Sequence, residues 1–369
     1  MKKNHNYYPE HIFVEKSEKD SAVFKQAIQR CPKSKITVID DLSGFNKEHC
    51  DMPFCRKNLF IARKKGKVIR PCPCAKNHIS CGYYVLSLGY GCPFECSYCY
   101  FQYYGNAKGL VLHSNVREVI AEAEKFLKKA GEKRLRIGTG EFSDSLALDH
   151  LSNYSRILAE FFAKFKNVQF ELKTKSDNIE NLEHLKHKKR IIISWSVMPE
   201  RLIQQQECGV PSLNQRVTSA AICEKWGYKI GFHFDPIILT NAWKEKYKKV
   251  VDDIFNLVSA KNIAWISLGS LRFERKLKPL MRKRFSESKI IYEELLPGLD
   301  GKLRYFRPQR TEIYQHMLKV IRSRGKDIPV YLCMETLLVW QEVFGSLRPR
   351  KILRNSNVTL DYSLKLDRG

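Results

Sequence analysis

The sequence predicts an α/β fold, a partial (β/α)6 TIM barrel carrying a small N-terminal α/β appendage and a C-terminal α/β extension. Three observations carry that prediction. From Tyr83 onward, six β-branched runs alternate with stretches of helical apolar period. Glycines and polar residues gather at the C-terminal ends of those runs, where barrels of this kind place their chemistry. The alternation then breaks after Leu271, too early for a closed eightfold barrel.

Residues 1–80 open with HIFVEK, which alternates as a strand does. SEKDSAVFKQAIQRC has a helical apolar period, and SKITVID is a β-branched run. The appendage ends near Asp41, and residues 42–80 are expected to be an irregular, basic, Cys-containing linker. Residues 81–271 hold the barrel. Its strands are YYVLSL, RLRIGTG, VQFELKTK, RIIISWSV, KIGFHFDPII and NIAWISLGSL, and right-handed crossovers make them parallel. Residues 272–369 add a short strand near Ile290–Tyr292, a helix from Thr311, the strand PVYLCM, the helix ETLLVWQEVFG and a basic tail. Asp300-Gly301 reads as a hairpin turn.

Composition narrows the partners. Hydrophobic residues make up 43% of the 369, ample for a large core. No apolar run approaches the roughly 20 residues that span a bilayer. MKKNHNYYPEHIF lacks the apolar stretch of a secretory leader, so a reducing cytoplasm and no membrane are expected. Sixty-five Lys and Arg against thirty-nine Asp and Glu leave a charge of +26. That excess predicts a polyanion partner bound partly by counterion release. It sits in short blocks: Arg63–Arg70, Arg272–Lys278, Arg282–Arg284 and Arg348–Arg354.

The run GYGCPFECSYCYFQ places Cys92, Cys96 and Cys99 at spacings of four and three. Three thiolates can hold three corners of a [4Fe–4S] cube and leave one iron open for a small molecule. A zinc site needs a fourth Cys or His, and only Cys72, Cys74, His78 and Cys81 upstream offer one. The run is similar to the signature of radical S-adenosylmethionine enzymes, in which the open iron meets that cofactor. Tyr98 and Tyr100 flank the last cysteine and are placed to pack over a nucleoside or relay a hydrogen atom. Cys72, Cys74 and Cys81 are candidate hydrogen-atom donors, spare ligands or buried hydrophobes.

The remaining strand ends supply candidate cofactor contacts. Gly138 and Gly140 permit close backbone approach, and Glu141 can accept from an ammonium. Ser143 follows in the same loop. Lys173 or Lys175 can meet a carboxylate, and Ser194 or Ser196 a ribose or carboxylate, with the choice inside each pair left to register. His233 shares a face with Asp235 and can orient an adenine or rest in the core.

RPCPC…CGYYVLSLGYGCPFECSYCYFQ, GTGEFSDSLALDHL, ELKTKSDN, SWSVMPE, FHFDPII, WISLGSLRF and PGLDGKLRYFRP resemble spore photoproduct lyases and the related photolyase-like branch of radical S-adenosylmethionine proteins. The resemblance runs from about Tyr83 to Gly345. It implies a [4Fe–4S] cluster, S-adenosylmethionine, an electron donor such as flavodoxin or ferredoxin, and repair of a methylene-bridged thymine dimer in DNA. In that scheme a 5′-deoxyadenosyl radical takes hydrogen from C6 of the dimer, the bridge fragments, and a hydrogen atom is returned. Such a lesion must be flipped from the stack. Arg304 and Tyr305 are the expected wedge, Arg272 a further contact to DNA, and the chain is expected to act as a monomer. Family members typically carry a donor cysteine just after the second strand, where this chain has Glu141-Phe142-Ser143-Asp144. Either an upstream thiol such as Cys74 then returns the hydrogen atom, or the return takes another route, or the substrate differs. Two alternatives stay open: a radical enzyme acting on RNA or another anion, and a nucleic-acid-binding protein with a structural or redox-sensing cluster.

Overall fold

The computed structural model describes residues 6–49, 51–74, 77–104, 108–186 and 189–345. The basic tail block from Arg348 to Arg354 lies outside them.

Six parallel strands stand side by side in chain order: Tyr83–Leu86, Leu135–Gly138, Val168–Thr174, Ile191–Ser196, Lys229–Ile237 and Ile263–Ser270. Ile191–Ser196 is buried along its whole length, as both covered faces of a parallel strand demand. Two edge strands extend the curled sheet to eight. Ile69–Pro71 pairs antiparallel outside the first strand, and Val330–Leu332 pairs parallel outside the sixth. The barrel is therefore partial, and its seventh parallel strand comes from the C-terminal extension.

Helices wrap the outside and bury one face each. Val116–Ala130 turns Val119, Ala123 and Leu127 inward. Leu213–Lys225 begins with a capping box in which Ser212 and Gln215 satisfy each other's backbone N–H groups.

The N-terminal region forms its own five-stranded sheet. His11–Glu15 lies between Lys35–Ile39 and Asn58–Ala62, all parallel, and Leu110–His113 adds beside Asn58–Ala62. Residues 42–80 thus contain a helix, Leu42–Glu48, and the fully buried strand NLFIA, where an irregular linker was expected. Burial of this strand on both faces, with its four apolar residues Leu59–Ala62, explains why it pairs instead of crossing the surface. Ile290–Tyr292 falls in a single 3-10 turn, not a strand.

This arrangement fixes the cysteine loop at both ends. Gly89–Tyr90, before the cysteines, pairs antiparallel with Val111–Leu112 of the N-terminal sheet. Glu95–Cys96 pairs antiparallel with Glu207–Cys208, which follows the helix after the fourth strand. Gly89 has to be glycine, because a Cβ there would stand 2.6 Å from the Val111 carbonyl oxygen. Among the described residues, no helix is long and apolar enough to cross a membrane.

Candidate active site

Cys92, Cys96 and Cys99 share one loop at the C-terminal end of the first barrel strand, and none is in a disulfide. The Cys99 amide donates to the Cys96 carbonyl at 3.1 Å, and Gln102 donates to the carbonyls of Cys96 and Ser97 at 3.1 and 2.8 Å. Burial raises all three thiols, Cys96 to about 12, so ligation has to displace their protons. Cations oppose that burial: Lys175 and Arg216 act on Cys96, and Lys175, Arg56 and Arg284 on Cys99. Backbone N–H groups of Phe94 and Phe101 point at the sulfurs of Cys92 and Cys99. Three free thiols ringed by cations and N–H donors fit an anionic iron–sulfur cluster. Among the described residues no three His, Cys, Asp or Glu side chains gather tightly enough for a single ion. A cube takes one thiolate at each iron corner and needs no such convergence.

Glu207 organises the ground beneath this loop. Its buried carboxylate accepts from Arg216 at 2.6 Å, lies 3.7 Å from Lys175 Nζ, and receives the Tyr98 hydroxyl. Tyr98 is thereby held to a carboxylate while Lys175 stands over its ring at 5.9 Å. Lys175 is held protonated by Glu207 against its burial. Tyr100 reaches the other way, donating to the Glu141 carbonyl at 2.6 Å and stacking on Phe101. It spans from the cysteine loop to the second strand end.

Asp144 pins that strand end to the next. Its carboxylate accepts from the Leu146 and Ala147 amides, from the Lys175 amide at 2.8 Å and from the Thr174 hydroxyl at 2.6 Å. Ser143, Asp144 and Ser145 border a small cavity with Thr139. Glu141 is half-buried, and burial raises its carboxyl while Lys173 opposes the rise. Lys173 and Lys175 share a face, as their spacing requires. Lys175 meets the cysteine loop, and Lys173 faces Glu141 and Asp235 inside the barrel.

Four of the expected contacts lie deep in the barrel. Ser194 and His233 point inward but belong to a closed polar floor. Ser194 Oγ donates to Glu171 at 2.7 Å. His233 Nε2 lies 2.7 Å from the same carboxylate, and its Nδ1 meets Ser267 Oγ at 2.5 Å. Glu171 also accepts from Arg136 at 2.9 Å, and Arg136 lies against the rings of Tyr83, Trp265 and Tyr331. Burial holds His233 neutral, down to about 4. Gly138 is part of this floor: a Cβ there would meet the Tyr83 hydroxyl at 1.9 Å. Gly140 is required by Lys173, whose Cβ would be 2.6 Å away. Both glycines answer to a neighbouring strand. Ser196 sits one step above Ser194 and is buried.

The side chains expected to meet nucleic acid are also internal. Arg272 makes a two-armed pair with Asp235 at 2.8 and 3.1 Å, and this holds Asp235 down to about 2. Arg304 is 1% exposed, bound to Asp300 and the Met334 carbonyl, and Tyr305 is equally buried against the Leu239 amide. Neither is free to act as a wedge. The hairpin is real, with Leu296–Pro297 paired to Leu303–Arg304, but its exposed tip residue is Leu299, at 74%.

Four thiols lie within electrostatic reach of one another, Cys81 beside the Arg136 and Glu171 of the floor. Cys72 is acted on by Glu141, Cys81, Cys333 and Cys74. Tyr100 in turn feels Glu141, Cys99 and Cys72. Cys333 accepts from Arg272 at 3.5 Å and faces Asp235 and Lys173. Only its place after the edge strand brings it there. Cys74 Sγ lies 3.8 Å from the Ile79 carbonyl.

An open parallel barrel whose first strand runs into a three-cysteine loop defines the radical S-adenosylmethionine fold class. Within that class the chain belongs to the spore photoproduct lyase family, whose model matches residues 7–319. The spore photoproduct lyase of Bacillus subtilis is 24% identical over 214 residues, covering 57% of this chain and 63% of that protein. That of Clostridium acetobutylicum is 26% identical over 208 residues, covering 56% and 62%. The chain thus matches less than two thirds of these relatives' length. Among solved structures, a spore photoproduct lyase complexed with dinucleoside spore photoproduct superposes with a TM-score of 0.76 at 18% identity, over 88% of this chain and 99% of that one. A variant with bound AdoMet and dinucleoside spore photoproduct gives 0.76 over 89% and 99%.

Proposed function

We propose that this chain is a radical S-adenosylmethionine lyase that repairs an ultraviolet thymine lesion in DNA. The observation that carries the proposal is the convergence of the three-cysteine loop with Glu141, Asp144, Lys175 and Tyr100 at one barrel mouth, within a family-wide fold. When bound, a reduced [4Fe–4S] cluster and S-adenosylmethionine supply a 5′-deoxyadenosyl radical. Cys92, Cys96 and Cys99 are assigned as its ligands. Lys175, kept charged by Glu207, is assigned to the cofactor's carboxylate, and Glu141 to its ammonium. Ser143 and Ser196 are left as polar contacts at the same rim. The relatives' bound lesion and cofactor support this choice of substrate class.

Hydrogen return needs an intact S–H bond, since the substrate carbon radical takes the hydrogen atom and leaves a sulfur radical. Burial keeps Cys72, Cys81 and Cys333 as thiols, which suits donation and disfavours thiolate chemistry. We assign donation to the upstream thiols, with Cys74 and its neighbour Cys72 first. They replace the cysteine that the second strand end lacks.

The test combines anaerobically reconstituted protein, dithionite, S-adenosylmethionine and a spore-photoproduct dinucleotide. Thymidine and 5′-deoxyadenosine forming together support the lyase. Deoxyadenosine without repair moves the radical chemistry to RNA or another anion, and neither product leaves a structural or sensing cluster.

A further inference from the structure

Helix Leu277–Arg284 follows the last long barrel strand and flanks the cysteine loop. Leu277 and Met281 are buried beneath it, and its last turn consists of Arg282, Lys283 and Arg284. Arg284 clamps the loop. Its Nη1 donates to Gln102 at 2.9 Å and its other arm pairs with Glu95. Gln102 is the residue that donates to the Cys96 and Ser97 carbonyls, so the helix end stands two hydrogen bonds from a cluster cysteine. The segment just beyond repeats the grip, because Ser288 and Ser97 both donate to Gln206 at 2.6 Å.

Around this clamp the charge is one-sided. Residues 272–289 carry eight Lys and Arg against two Glu. Arg275, Lys276, Arg282 and Lys283 are exposed and make no ion pair among the described residues. Four uncompensated cations, Arg282 and Lys283 on the helix and Arg275 and Lys276 just before it, attract a polyanion, which leaves nucleic acid and an acidic protein to be distinguished. Position favours the protein. Tyr100 leaves the loop toward Glu141 and the thiol-lined mouth, where a lesion is handled. Glu95 and Gln102 leave it toward the helix. The basic face therefore adjoins the cluster from a flank that the substrate thiols do not line.

We propose that this helix is the docking surface for a small acidic flavoprotein that reduces the cluster. The inference rests on the radical reading above and adds to it the site of electron entry. One electron leaves the carrier's reduced flavin and the oxidised cluster accepts it, with no atom transferred. The Arg284 clamp joins the docked carrier to Cys96 through side chains already bonded to the loop. Opposite charges then steer encounter and set orientation.

The experiment uses Lys276→Glu, Arg282→Glu and Lys283→Glu combined in the full chain, with Arg284 retained. A reduced flavodoxin and dithionite are compared as reductants by bleaching of the cluster absorbance, and flavodoxin affinity is measured separately by titration at low salt. The expected result is flavodoxin-driven reduction slowed by about tenfold or more, weaker flavodoxin binding, and unchanged dithionite reduction. Unchanged flavodoxin kinetics overturns the docking surface. So does a fall in DNA affinity whose salt slope shrinks by about 0.9 per charge removed, which gives the face to nucleic acid. Loss of cofactor cleavage with dithionite in the unmutated chain sinks the radical reading itself, a separate failure.

Discussion

Lys175 Nζ lies 3.7 Å from Glu207 Oε1, and that carboxylate is the one Arg216 and Tyr98 also hold. A residue far along the chain thereby governs two side chains that face the cysteine loop. Its backbone pairs with Cys96 as well. The relationship makes Glu207 the mechanical anchor of the site, with Arg216 fully buried behind it.

Glu207→Gln should therefore be costly out of proportion to its size. Removing one partner of a buried ion pair leaves charge uncompensated, and Lys175 and Arg216 both lose theirs. A loss of about 3 kcal/mol in urea unfolding is expected, with less iron retained per chain after reconstitution. Adding Arg216→Met should recover part of the stability. A cost below about 1 kcal/mol would mean that the network does not hold the loop.

The four thiols predict a labelled product. S–H hydrogens exchange with solvent, so turnover in deuterated water should place deuterium in the repaired thymidine. Cys72→Ala and Cys74→Ala, made singly and together, should divert the substrate radical to by-products. A shift of about tenfold in product partition, or about 1.4 kcal/mol, is expected for the true donor. Cys333→Ala tests the seventh-strand thiol in the same assay. Clean, deuterium-labelled product from a variant lacking all four thiols would falsify a cysteine donor.

What the sequence disclosed and withheld follows from range. The six barrel strands and the cysteine loop are local patterns, and both were legible. Lys173 and Lys175 read as rim groups with the choice between them left open, because parity says which way a side chain points and not how deep it sits. Ser194 and His233 point inward and are nonetheless claimed by Glu171 below the mouth. Glu207 carries no local signal at all: it is one acid in QQQECG, made important by Arg216 nine residues on and by the distant Tyr98. Charged residues are mostly exposed, so Arg272 and Arg304 read as surface groups. Their partners Asp235 and Asp300 become visible only once the strands close up.

Arg272 and Arg304 yield a prediction opposite to the one their composition suggests. Arg272→Ala leaves Asp235 buried without its partner, and Arg304→Ala leaves Asp300, held down to about 2 chiefly by Arg304, with only Lys302 at 3.5 Å. Each should cost about 3–5 kcal/mol of stability. Neither should change the slope of log affinity against log salt for DNA, since neither reaches a phosphate. A slope reduced by about 0.9 in either variant would restore it to the nucleic-acid interface. Leu299→Asp, at the hairpin tip, should do the reverse and weaken binding of lesion-bearing duplex with little effect on folding.

The N-terminal sheet contributes to the acid sensitivity of the fold through His113. His113 ends the strand that joins this sheet to the cysteine loop, and its Nδ1 is buried without a partner. Burial, aided by the nearby Lys64, lowers its pKa from 6.5 to about 4. The folded chain therefore keeps His113 neutral while the unfolded chain takes a proton below about pH 6.5. Stability from this group is full above that value and is lost as pH falls toward 4. The loss between pH 7 and pH 5 should be about 1–2 kcal/mol for His113 alone. It is read as the difference between the unmutated chain and His113→Gln, each unfolded in urea at both pH values. Gln has no titrating group, so the variant should lose less stability on acidification whatever its starting point. Identical losses in the two proteins would show that the imidazole already takes up its proton in the folded sheet.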